Sequence, residues 1–290
     1  MKIIKVIVFC AVLFAIGCSK PEDQVPELAA SAVGKVIGEM TEVMIHDVTN
    51  PPLGARFYSY ACLAGYEVMA LNEPAYPSMH GVLNGFPKIE KPEQVNMYSP
   101  QVAATLAMLE TAQKMQPSGK VSLAAYQARF LDSLKTVGFS EPILTGSQTY
   151  GLAISKQILK YAKADKYNII STFPRYEPKK VKGSWYPTPP GYFPPVEPYF
   201  NTVRPFTLDS ASQFKPAPPI PYSEEKGSAF FKLMQANHDV ALDLEERTIA
   251  AFWDCNPFAL ENKGHLMVGM KKISPGAHWM GITNIACLKA

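Results

Sequence analysis

Between Trp185 and Pro221 the chain reads WYPTPPGYFPPVEPYFNTVRPFTLDSASQFKPAPPIP. Each proline fixes φ and removes a backbone donor, so neither a helix nor an interior strand can run through this stretch. A Pro-rich linker between two halves is one reading. The interleaved Trp185, Tyr186, Tyr192, Phe193, Tyr199, Phe200, Phe206 and Phe214 argue against it, because a packed aromatic buries about 150–250 Å² that is costly to leave in water. The expectation is a folded loop over residues 171–222 that covers a body built from its flanks. Long ordered loops of this kind are usually functional.

The flanks carry helical periodicity. Val25, Leu28, Ala32, Val36, Met40 and Val43 recur three and four apart, which makes one face of a helix running to Val48. Asn50-Pro51-Pro52 ends it, and Leu53–Leu71 forms a second helix rich in Ala and Gly, so its neighbours can approach closely. Asn72–Tyr98 is broken by prolines and glycines and reads as irregular. Ser99-Pro100 puts a cap residue before a proline at the first helical position. Val121–Val137 follows with Gly138 as its stop, and then Ile143–Lys163.

Beyond the loop, Ser223-Glu224-Glu225 is expected to open a helix to about Leu242, with acidic side chains at its positive end. Leu244–Trp253 continues or restarts it, and Asn256-Pro257 stops it. Gly264–Met270 reads as a turn with a short apolar run, and Ser274-Pro275 begins a last helix over Gly276–Ala290. No alternating Val/Ile/Thr-rich run appears before Ser171. The fold class is therefore all-α: a bundle of about six to eight helices in one domain, residues 25–290. Ile282, Ile285, Ala286 and Leu288 keep helical spacing to the end without a stop signal. That pattern suggests missing sequence, a truncated chain whose open apolar face would seek a C-terminal segment or a second copy.

Met1-Lys2-Ile3-Ile4-Lys5 is a basic start to an apolar run, Val6–Ile16, too short to anchor a helix across a bilayer. Residues 1–17 read as a signal peptide. Ala15-Ile16-Gly17-Cys18 resembles the bacterial lipobox, so Cys18 is the expected lipid attachment point, and residues 18–24 form a tether. The expected address is an exported chain, lipid-anchored to the cell envelope at the periplasmic face or outer surface. Removing Lys2 and Lys5 from the 28 basic residues leaves 26 against 25 acidic ones, which gives no nucleic-acid footprint. Cys62, Cys255 and Cys287 are too widely spaced for a disulfide framework or a metal site and read as small buried hydrophobes.

Phosphate-binding glycine loops, dinucleotide fingerprints, zinc-protease helices and serine-nucleophile elbows are all missing from the sequence. His46, His80, His238, His265 and His278 include no pair three or four apart, so no metal is expected. His265 and His278, beside Lys263, Lys271, Lys272 and Trp279, are the histidines placed best for chemistry. With Trp185 and Arg204 they make up the candidate pocket residues. For Arg204, anchoring the loop on backbone carbonyls is weighed above binding an anion.

Several segments carry a resemblance in order along the chain. They are His46-Asp47-Val48-Thr49-Asn50-Pro51-Pro52, Arg56-Phe57-Tyr58-Ser59-Tyr60, Ala64-Gly65-Tyr66-Glu67, Trp185-Tyr186-Pro187-Thr188-Pro189-Pro190, Ala250-Ala251-Phe252-Trp253-Asp254-Cys255-Asn256-Pro257 and Ser274-Pro275-Gly276-Ala277-His278-Trp279. With the lipobox they resemble the Bacteroidetes lipoproteins of the vanadium-dependent haloperoxidase and type 2 phosphatidic acid phosphatase superfamily. That resemblance implies a helical bundle in which Lys and Arg hold a tetrahedral oxyanion, vanadate or phosphate, and a His serves as axial ligand or nucleophile. Cationic donors suit such a site because they neutralise charge in ground and transition state alike.

The family's Lys…Arg-Pro, Pro-Ser-Gly-His-like and Ser-Arg…Gly-x-x-His segments have no match here, and Arg204-Pro205 lies before the expected region without partners. The chain is therefore expected to be the N-terminal portion of such a protein, with no catalytic residue and no cofactor of its own; vanadate belongs to a complete haloperoxidase relative. Whether the chain is itself an enzyme, and whether the complete relative oxidises halide or hydrolyses phosphomonoesters, stays open. The alternative is a non-catalytic surface lipoprotein that binds a peptide or glycan through the Pro/aromatic loop.

Overall fold

The computed structural model describes residues 26–189, 191–253, 258–262, 266–270, 281, 282 and 285. The signal peptide, Cys18 and its tether, His265, His278 and nearly all of the last expected helix lie outside the described residues. The helices of the described residues are, in order, α1 Ser31–His46, α2 Pro51–Ala70, α3 Pro100–Met115, α4 Gly119–Val137, α5 Glu141–Lys163, α6 Tyr167–Ile170, α7 Ala229–Asp239 and α8 Leu244–Trp253, and residues 281, 282 and 285 are also helical. Strands β1 Phe258–Asn262 and β2 Leu266–Met270 pair antiparallel, with Phe258 opposite Met270 and Asn262 opposite Leu266. The all-α expectation holds for the body. Of the 264–270 stretch read as a turn with a short apolar run, the described residues Leu266–Met270 form β2. No helix among the described residues is long and apolar enough to cross a membrane.

Helix α3 is the axis. Ten of its residues are buried, on every side of the helix; a helix apolar all round belongs in a core. Ser99 caps it, its hydroxyl accepting from the Val102 N–H, and Pro100 enters the first turn. Around it pack α1, α2, α4 and α5. The close approach depends on small residues: a Cβ on Gly151 of α5 would sit 2.8 Å from the Ala103 carbonyl oxygen, and one on Gly65 of α2 would sit 2.7 Å from Met108 Cγ. Hydroxyls pin the same interfaces, Thr111 donating to Ser155 at 2.9 Å and Ser147 accepting from the Ser99 N–H at 3.0 Å. Gly138 ends α4 at φ 104°, a left-handed position that glycine occupies without penalty.

Several boundaries depart from the sequence reading: α4 and α5 begin at Gly119 and Glu141, each two residues before the expected start, and three further starts differ. Helix α1 begins at Ser31, not Val25. Helix α2 begins at Pro51, because Asn50 caps the new helix: its side chain accepts from the Leu53 N–H at 2.9 Å, and both prolines fit where no intrahelical donor is needed. Ser223-Glu224-Glu225 opens no helix. Glu224 accepts from Lys182 and from the Tyr222 hydroxyl, each at 2.7 Å, Ser223 accepts from the Glu225 N–H, and α7 waits for Ser228, whose hydroxyl caps Phe231 N–H at 3.1 Å.

The irregular 72–98 segment is anchored from inside. Glu67 of α2 is fully buried and accepts from the Ser78 hydroxyl at 2.8 Å and the Met79 N–H at 2.7 Å, while Phe86 and Ile89 enter the second of two core clusters. The described residues of 171–222 are irregular apart from one 3-10 turn at Phe200–Thr202. Helices α7 and α8 bury no residue.

Candidate functional site

The loop meets the bundle at a polar cluster set by α2 and the end of α5. Arg56 and Tyr60 are four residues apart and so share a face of α2. Asp165 follows α5, where Lys166 turns the chain through a left-handed conformation at φ 69°. Arg56 donates to Asp165 through Nε at 2.7 Å and Nη2 at 3.1 Å, and to the Ala162 carbonyl at 3.0 Å. The Tyr60 hydroxyl and the Tyr167 N–H each add a donor to Asp165 at 2.8 Å. The carboxylate is 1% exposed with every donor accounted for, the condition under which a buried charge is tolerated.

Arg204 brings the loop down onto this cluster. Its N–H donates to the Asp165 carbonyl at 3.2 Å, and Nη2 donates to the Tyr161 carbonyl at 3.0 Å and the Tyr60 hydroxyl at 3.3 Å. Its guanidinium lies 3.7 Å from the Tyr161 ring centroid. Phe206 follows into the groove beside Tyr60, centroids 5.2 Å apart. The Asn84 N–H donates to the Phe206 carbonyl at 2.7 Å, and its side-chain amide donates to the Pro205 and Leu208 carbonyls. At the other end of the seam Glu197, at φ 48°, accepts from the Tyr167 hydroxyl at 2.7 Å and the Asn50 amide at 3.0 Å. Asn50 therefore caps a helix with one side-chain atom and fastens the loop with another.

Burial sets the electrostatics of the seam. It pushes the Tyr60 phenol well above the ordinary tyrosine range, reinforced by the Asp165 charge and partly offset by Arg204 and Arg56. Burial raises Tyr167 as well, with Glu197 adding to it. These phenols are held as neutral donors. Cavities flank the cluster. One, of about 310 Å³, is lined by Tyr167, Phe173, Arg175, Glu197 and Tyr199. The other, of about 330 Å³, is lined by Lys88, Gln157, Lys160, Tyr161 and Arg204.

Of the residues singled out from sequence, Arg204 stands at the centre of the seam, bonded to carbonyls and a hydroxyl. Trp185 is apart from it, half exposed, its ring 6.3 Å from Tyr176. Arg56, Tyr60, Asp165 and Glu197 were not named as site residues. Arg56 and Tyr60 stood inside a resembling segment, but nothing local pairs them with an aspartate 109 residues away.

A bacterial vanadium-dependent iodoperoxidase of known crystal structure superposes on the chain with a TM-score of 0.78 and 32% sequence identity over 92% of this chain. The fold is that of the vanadium-dependent haloperoxidases. The likeness supports the haloperoxidase superfamily that the sequence segments resemble. The chain spans 63% of the length of that iodoperoxidase. No family model and no curated protein matches it.

Vanadate is an oxyanion, and the haloperoxidase resemblance calls for several Lys and Arg around a His. The described residues do not fit it. His46 and His238 are exposed beside Asp47 and Asp239, and the His80 ring nitrogen Nδ1 is 2.8 Å from the Phe86 carbonyl oxygen. None of the three lines the cavity where Lys88, Lys160 and Arg204 gather. Among the described residues no group of three His, Cys, Asp or Glu side chains could hold a metal ion.

Proposed function

We propose that the chain supplies the helical scaffold and covering loop of a vanadium haloperoxidase-type protein, whose reaction is peroxide-dependent oxidation of halide. The observation that carries this reading is the likeness to the iodoperoxidase at 32% identity over 92% of the chain. Iodide and bromide are the halides to assay. In this reading the described residues position and cover; they do not perform the oxidation. Arg56 and Asp165 are committed to each other, to the Ala162 carbonyl and to Tyr60, and the sequence has no counterpart of the vanadate-holding segments.

The same reading places the mature chain on the cell envelope, exported by residues 1–17 and held by a lipid on Cys18. Metabolic labelling with a radioactive fatty acid, lost in a Cys18→Ala variant, checks the anchor. Steady-state assays of the 290-residue chain with orthovanadate, peroxide and iodide or bromide, and separately with a phosphomonoester, check the activity. No turnover above a vanadate-only blank is expected, and saturable vanadate-dependent halide oxidation refutes the scaffold assignment.

A surface-binding role is the second reading. It is favoured by the exposed Trp185, Tyr186, Tyr192 and Phe214 of the loop. Quenching of Trp185 fluorescence by a glycan or Pro-rich peptide, weakened in a Tyr186→Ala variant, would select it.

A further inference from the structure

The cavity beside Arg204 gathers positive charge. Lys88, Lys160 and Arg204 line its wall, and among the described residues no Asp or Glu does. Neither lysine nor Arg204 has an ion-pair partner among the described residues. The Asp165 carboxylate of the same network is taken up by Arg56, Tyr60 and the Tyr167 N–H. Arg204 Nε is buried and has no hydrogen-bond acceptor. The guanidinium has no direct carboxylate contact: its side-chain hydrogen bonds go to neutral oxygens and its face to a ring.

The site is also held in shape before any ligand arrives. The Arg204 head is fixed by the Tyr161 carbonyl, the Tyr60 hydroxyl and the Tyr161 ring. The Lys88 side of the cavity is tied to α5 because the Gln157 amide pairs with the backbone of Glu90 in both directions, each bond at 2.9 Å. Lys160 projects from α5 itself, one residue before Tyr161. Three cations lining one cavity from a loop, a helix and the covering loop suit a tetrahedral dianion. A cavity of about 330 Å³ is at the small end of organic-ligand sites and larger than a bare ion needs.

We propose that this cavity binds a tetrahedral oxyanion, phosphate or sulfate, carried on a small organic group. Among the described residues no histidine and no nucleophilic Ser, Thr or Cys lines it, and the ester is proposed to be bound without being cleaved.

Calorimetric titration of the folded chain tests this with inorganic phosphate, inorganic sulfate, phenyl phosphate and phenyl sulfate, ionic strength being held constant with chloride. Saturable one-to-one binding is expected, with the esters tighter than the free ions; comparing the two esters identifies which oxyanion is preferred. A Lys88→Gln/Lys160→Gln variant should bind about tenfold more weakly or worse. Both lysines are exposed, so the variant keeps the native fold, which its circular dichroism and unfolding midpoint verify. Absence of saturable binding, esters no tighter than the free ions, or equal affinity in the lysine variant would each overturn the proposal.

Discussion

Arg56 and Asp165 stand 109 residues apart in the chain and 2.7 Å apart in the fold, a paired guanidinium and carboxylate at the point where the covering loop touches the bundle. The Asp165 side chain is 1% exposed and that of Arg56 12% exposed. Removing the cation strands a buried anion, so Arg56→Ala should cost about 3–5 kcal/mol of unfolding free energy, read from urea denaturation. Arg56→Lys should fall between, because an ammonium cannot repeat the two-pronged contact. A loss under about 1 kcal/mol for Arg56→Ala would put the pair in the class of solvent-screened bridges.

Helix packing makes a sharper comparison. A Cβ at Gly151 meets backbone on the facing helix, the Ala103 carbonyl oxygen at 2.8 Å and the Ala107 nitrogen at 3.0 Å. At Gly65 the closest obstacle is the flexible Met108 side chain, with the Ala104 carbonyl oxygen at 3.2 Å. Gly151→Ala should therefore destabilise by about 1–3 kcal/mol or more, and by more than Gly65→Ala. Thermal unfolding of the two variants side by side orders them.

How much of this was legible depends on range. Ser99-Pro100 and Gly138 announced their helix ends because capping is a property of adjacent residues, and the structure uses both. Ser223-Glu224-Glu225 carried the same kind of signal and misled, since Lys182 and Tyr222 claim Glu224 before it can serve a helix. The prolines of residues 171–222 announced a loop, but the burial expected of its aromatics is met only in part, by Tyr199, Phe200 and Phe206, while Trp185, Tyr186, Tyr192, Phe193 and Phe214 are exposed. Arg204 could be named as the loop's anchor. The partners that hold it could not: Asp165 and Tyr60 reach Arg204 only through the packing of α2 against α5. The candidate histidines His265 and His278 lie outside the described residues.

The buried phenols govern the alkaline limb of stability. Burial pushes Tyr150 up to about 12, the Tyr98 interaction adding to it against the Asn72 hydrogen bond, and Tyr60 and Tyr167 are raised as well. In the unfolded chain these groups ionise near the ordinary value of about 10. Their contribution to stability is therefore complete below that pH and is lost as pH rises through the folded values. Phenolate absorbance against pH should show a late fraction appearing together with unfolding, and a titration with every tyrosine ionising near its ordinary value in the folded chain would refute the burial.

Cys62 offers a chemical reading of the same packing. Burial raises its thiol, so the reactive thiolate is scarce at neutral pH. Alkylation at Cys62, followed by peptide mass spectrometry, should run about tenfold or more slower in the native chain than in urea. Equal rates would mean that α2 does not pack as described.

The Pro/aromatic stretch is a covering loop seated on the Asp165 cluster, and amide hydrogen exchange tests that most directly. The N–H groups of Phe200, Thr202, Val203 and Arg204 are all hydrogen-bonded, the last to Asp165 itself. The peptide spanning these residues should be protected by about 100-fold or more over an unstructured chain, and Arg56→Ala should remove that protection. Exchange of this peptide at the unprotected rate in the unaltered protein would contradict the account and return the stretch to a linker.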